Sequence, residues 1–217
     1  MLHRASWLRT TASVSFLSIP ALAAILACGS TSTTPEPSSD AGVGADDRAR
    51  PKEPIIIDAG ACKATLTAPP LLEANHVEVG TQVEYNSNPP SSGPHYSRWA
   101  AFREYETPVD RRYYVHDLEH GAVVLAYKCA TAAECPEIVA ELRKVVANIK
   151  TDPLCTDGVR VRYVMTPDPL LNTKVAIAAW GFTYNADCVD VPTLSAFANQ
   201  NYGRAPEDFC TEGITTF

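Results

Sequence analysis

Histidine is the residue type in this chain best placed to do chemistry. Of five histidines in 217 residues, four fall between positions 76 and 120: His76, His95, His116 and His120. Imidazole is the commonest metal ligand and the one side chain that titrates near neutrality without help, so this crowding points first to metal binding. The strongest pattern is Val115-His116-Asp117-Leu118-Glu119-His120-Gly121. Two histidines four apart share a helical face, from which both can reach one ion at roughly 2.0–2.1 Å. On an extended strand the same pair stands about 13 Å apart, at ~3.3 Å per residue. A shared ion therefore requires a helical turn or tight loop at 116–120, and Gly121, followed by an apolar run, limits any helix there to about one turn.

His95 closes the run Asn88-Pro89-Pro90-Ser91-Ser92-Gly93-Pro94. Three prolines fix φ and remove three backbone donors, so this arm is stiff without secondary structure. Stiffness lowers the entropy lost when a ligand is captured. His95, His116 and His120 are the expected ligands, with Glu119 or His76 completing the shell. His76 opens a strand, and of the four its position best suits a purely structural role. The competing view of these motifs is a pair of satisfied histidines at a strand entrance, a solvated Glu119 and a rigid surface turn that exposes His95.

The elements that must position these residues read as α+β. Ala122–Tyr127 and Val175–Trp180 are continuous apolar runs that suit buried central strands, and Val159–Met165 alternates with period two. His76–Tyr85 alternates more weakly, with Gly80 interrupting it. A helix starts at Pro136, with Ile138, Val139, Leu142, Val145, Val146 and Ile149 on its inner stripe. A second runs from Pro192 to Tyr202, with Asp190 as N-cap and Gly203 as stop. Strand 122–127, helix 136–149 and strand 159–165 make a βαβ unit, hence a parallel, right-handed pairing. The short link 166–174 returns antiparallel. The expectation is one compact domain over 61–217 with a mixed sheet of four or five strands.

The N-terminal 27 residues read as an export signal: Arg4 and Arg9, then an apolar stretch from Ser13 to Ala27 that is too short to span a membrane. Ile25-Leu26-Ala27-Cys28 resembles the lipobox of bacterial lipoproteins, with Leu26 departing from the usual small residue. The resemblance implies lipidation of Cys28 and a membrane anchor through it. Gly29 in place of Asp favours the outer membrane over inner-membrane retention. The alternative is an ordinary secretory signal that leaves Cys28 as a thiol. Residues 28–60, rich in Ser, Thr, Pro and Gly at their start, read as a disordered tether.

Removing Cys28 from seven cysteines leaves six: Cys62, Cys129, Cys135, Cys155, Cys188 and Cys210. An even count in an exported chain implies disulfides that reinforce the core. The pairing guessed from position is Cys129–Cys135, Cys155–Cys188 and Cys62–Cys210. With thiolates committed, and Met165 the one methionine beyond Met1, an imidazole site in an oxidising compartment favours copper or zinc.

The blocks His76-Val77, Gly80–Tyr85, Pro89–His95, Trp99, Tyr105, Pro108-Val109 and Val115–Gly121 together resemble the bacterial domain of unknown function 3105 family. Ala179-Trp180-Gly181 and Ala205-Pro206-Glu207 look like its later blocks, so the resemblance covers about 75–210. Asp117 stands where Asn is usual, and Arg103 where Gly commonly precedes the Tyr. Asp117 is expected to add a carboxylate beside the site. The family name carries no activity.

Three functions compete. The first is an exported, membrane-anchored, metal-binding lipoprotein of the cell envelope. The second is a metal-dependent hydrolase, since His116-x-x-Glu119-His120 matches the inverted zincin pattern in which Glu is the general base. Gly121 argues against the long helix those enzymes use. The third is a metal-free interaction module that uses Trp99, Phe102, Tyr105, Tyr113 and Tyr114 as a contact face. A net charge of −7 lacks the basic face of a nucleic-acid binder. No phosphate loop appears, so nucleotide chemistry is excluded. No apolar run approaches the ~20 residues of a spanning helix.

Overall fold

The computed structural model describes residues 48–156 and 158–216. The expected signal over 1–27, Cys28 and the tether as far as residue 47 lie outside the described residues. The chain forms a six-stranded mixed sheet in the order β1-β2-β8-β7-β5-β6. Its strands are β1 (Ile55–Ala59), β2 (Cys62–Thr67), β5 (Val123–Tyr127), β6 (Tyr163–Pro167), β7 (Val175–Ala179) and β8 (Phe182–Ala186). A separate parallel pair joins β3 (His76–Val77) to β4 (His95–Tyr96). Three helices complete it: α1 (Arg111–Glu119), α2 (Pro136–Asn148) and α3 (Val191–Asn201). No helix among the described residues is long and apolar enough to cross a membrane.

The βαβ unit is present: β5 and β6 run parallel, with α2 as the crossover. β7 returns antiparallel as expected, but pairs with β5 on the side away from β6. The sheet exceeds four or five strands because β8 and the hairpin β1–β2 extend it. β1 also lies within the stretch 28–60 expected to be tether, so ordered chain begins before residue 61.

Both faces of the sheet are covered, which is why its central strands are apolar without alternation. Val123, Leu125 and Ile177 face Val139, Leu142 and Val145 of α2 and Leu194 and Phe197 of α3. Val124, Val164 and Ala178 face the opposite way, against Tyr114, Val115 and Leu118 of α1. Thus α1 and the β3–β4 pair occupy one face, alone with the loops, while α2 and α3 occupy the other.

Several local expectations are corrected. The stretch 76–85 forms only the two-residue β3, because Gly80 at φ +94° is the third residue of a turn closed by Thr81 N–H donating to Glu78 C=O. Residues 159–162 are not strand. Arg160 donates to the terminal carbonyls of α2, and the Arg162 N–H goes to Tyr202 Oη. The disulfides are Cys62–Cys188, Cys129–Cys135 and Cys155–Cys210, so one of three guessed pairs is present. Cys62 meets Cys188 because the antiparallel β2–β8 ladder, with Ala64 opposite Ala186, carries the two cysteines face to face at its end. Phe102, Tyr105, Tyr113 and Tyr114 are buried in the core and present no contact face.

Leu142 is fully buried between α2 and the sheet. Leu142→Ala should therefore lower the unfolding free energy by about 2–5 kcal/mol, read from the urea midpoint of the purified chain.

Candidate metal centre

β3 and β4 place two histidines side by side by register alone, since His76 stands opposite His95. The pairing is held by His95 N–H donating to Asn75 C=O at 3.0 Å. α1 supplies the rest. Asp110 caps it by accepting from Arg112 N–H, and Val115 and Leu118 bury its inner side. It therefore runs nine residues, not the single turn expected, and carries His116 and Glu119 one turn apart. Gly121 ends it at φ +82°. A Cβ there would stand 3.0 Å from both Gly203 Cα and Arg162 Nη1, so the position demands glycine on two counts.

One donor atom from each of His76, His95, His116 and Glu119 lies within 4.8 Å of all the others. Ligands bound to a single ion at roughly 2.0–2.1 Å stand at most about 4 Å apart. Small side-chain rotations would thus close this cage on a cation. The ring centroids of His76, His95 and His116 are 4.7–5.1 Å apart. Three of the four residues are buried, and His76 is the exposed one.

The tautomers follow from the backbone. His95 Nδ1 is 2.8 Å from Gly93 C=O, and His116 Nδ1 is 2.6 Å from Tyr96 C=O. A carbonyl only accepts, so both Nδ1 atoms carry the hydrogen and each ring keeps its Nε2 as the nitrogen available to a cation. His95 Nε2 is 2.9 Å from Glu119 Oε2, yet it has no hydrogen bond and is fully buried. A bare lone pair facing a carboxylate oxygen at that distance requires a positive charge between them, either a proton or a metal ion. Orientation by main-chain carbonyls is the usual outer support of a ligating histidine.

His120 behaves differently. It is grouped with Glu119 and Glu207, its Nε2 lying 3.2 Å from Glu207 Oε2. Trp99 and Phe209 contact its ring, with centroids at 4.5 and 3.9 Å. Of the expected ligands, then, His95, His116 and Glu119 converge, His76 joins them despite its expected structural role, and His120 stands beside them. Asp117 does not add a carboxylate: its Oδ2 accepts from Ala100 N–H, and burial pushes its acid well above the usual range. Glu207 was not foreseen as part of the site, although it ends the Ala205-Pro206-Glu207 block. The C-terminal tail brings it in, through Glu207 N–H donating to Glu119 C=O.

Burial holds His116 down at about 4, with His95 and His76 adding to the effect against the Tyr96 carbonyl. Burial, then His116, holds His120 at about 3. Burial followed by the Glu119 charge raises Glu207. The cluster of three histidines and one glutamate, buried except for His76, could hold a metal ion. The family model described as "Protein of unknown function (DUF3105)" matches residues 76–212, more than half the chain, and the chain belongs to that family. No curated protein and no solved structure matches it.

Both imidazoles are neutral when folded and take up protons near 6.5 when unfolded. The unfolded state binds more protons as pH falls, so stability is full above about pH 6.5 and is lost progressively below it. In chelator, the urea midpoint should fall between pH 7 and pH 4.5. His116→Gln should flatten that dependence.

Proposed function

We propose that this member of the DUF3105 family is an exported, lipid-anchored protein of the cell envelope that binds copper or zinc through His76, His95, His116 and Glu119. The observation that carries the reading is the buried His95 Nε2, which makes no hydrogen bond and faces Glu119 Oε2 at 2.9 Å. Three imidazoles with one carboxylate suit either metal, and the six disulfide cysteines offer no thiolate. The cation would also sit at the carboxyl end of α1, where the helix dipole favours positive charge.

The same contact weighs against hydrolysis. A general base stands free beside a bound water, whereas Glu119 lies inside the donor set. Glu119→Gln should therefore weaken metal binding, and retention of metal with loss of hydrolytic turnover would instead favour the hydrolase. The anchor reading rests on the lipobox-like sequence before Cys28.

Untagged protein should bind at least one transition metal ion tightly, measured by elemental analysis after titration with copper or zinc. His116→Ala should weaken binding by about 100-fold or more, the upper end of what losing even an outer-shell partner costs. Absence of bound metal after titration would overturn the reading. In cells, Cys28→Ala should move the protein from the membrane fraction to the soluble fraction.

A further inference from the structure

Glu119 belongs to two donor groups, not one. Its carboxylate lies within 4.8 Å of the His76–His95–His116 donors, and also within 4.8 Å of donors from His120 and Glu207. A carboxylate has two oxygens and can bridge two cations, and two-metal sites commonly space their ions about 3.5–4 Å apart. The second group has the marks of a site in its own right. His120 is 1% exposed, and its Nδ1 is buried with no hydrogen-bond partner among the described residues. Its ring stands 4.4 Å from that of His116, so the two groups are neighbours and not remote patches.

Glu207 reaches this position on a fixed segment. Its N–H donates to Glu119 C=O at 3.0 Å, Gly203 N–H donates to Gly121 C=O at 2.8 Å, and Cys210 is bonded to Cys155. The donors carry two carboxylates against four imidazoles, and Arg162, the nearby cation, is already paired with Asp152 at 2.7 Å and Asp208 at 2.7 Å.

We infer that the centre is dinuclear, with Glu119 bridging a first cation held by His76, His95 and His116 and a second held by His120 and Glu207. The inference rests on the metal-binding reading above. The second subsite has fewer protein donors, and the Glu207 side chain is 51% exposed. Water completes its shell, so it is the weaker and more readily exchanged of the two.

Native mass spectrometry of the purified, untagged chain titrated with zinc counts the ions directly. Two zinc ions per wild-type chain, and one in Glu207→Gln, are expected. A single zinc in the wild type overturns the dinuclear inference while leaving the metal-binding reading intact; no zinc at all removes both. Two zinc ions retained in Glu207→Gln would place the second ion elsewhere and overturn the assignment. As a check that needs no variant, copper(II) loading of the wild type should give a spin-coupled electron paramagnetic resonance signal. An uncoupled signal at two equivalents of bound copper contradicts the bridge.

Discussion

Two main-chain carbonyls decide what this site is. By taking the Nδ1 hydrogens of His95 and His116, Gly93 and Tyr96 leave each imidazole its Nε2, and that of His95 is buried against Glu119. An inward lone pair opposite a carboxylate is unfavourable unless a cation lies between them, because low local dielectric magnifies the repulsion. The arrangement persists only because each ring is fixed from behind. Side chains free to rotate would turn these nitrogens to water.

The fold exists, in functional terms, to hold those two carbonyls against α1. The proline arm 88–95 is anchored by Gly181 N–H donating to Ser91 C=O and by Leu72 N–H donating to Ser92 Oγ. Gly93 adopts φ +122°, a conformation that favours glycine, and a Cβ there would press on Leu72 and Tyr85 at 3.2–3.3 Å. From the other side, Val115 and Leu118 seat α1 on the sheet. Arg162 is buried and donates to His120 C=O while pairing with Asp152 and Asp208. Removing one partner of such a buried pair typically costs about 3–5 kcal/mol, so the end of α1 and the C-terminal tail are bound as one unit. That tail carries Phe209 onto His120 and Thr211 C=O onto Trp99 Nε1.

What was legible in the sequence was local. Pro136 and the apolar stripe to Ile149 specify α2, Asp190 caps α3, and the pure apolar runs of β5 and β7 reflect burial on both faces. The stiff arm before His95 and the His116–His120 run pointed to His95, His116 and Glu119, but the i,i+4 spacing also put His120 on the shared ion, whereas His120 lies in the neighbouring group with Glu207. What escaped was set by contacts distant in sequence. His76 joins the cluster because a two-residue parallel pairing puts it beside His95, and no period in the chain signals so short a ladder. Glu207 arrives on a tail with no regular structure, held by hydrogen bonds to Glu119 and Gly121. The length of α1 escaped because Gly121 and the apolar run after it fix only the helix's C-terminal end, while its further turn lies before His116 and starts at the Asp110 cap, and the Cys62–Cys188 bond depended on β2 pairing with β8.

The most direct test is histidine 15N NMR of the chain before and after one equivalent of zinc. Nδ1 of His95 and His116 should keep its hydrogen throughout, while both Nε2 resonances shift to metal-bound values on zinc addition. Nε2 resonances that stay unchanged at saturating zinc, or zinc appearing on Nδ1, would contradict this expectation.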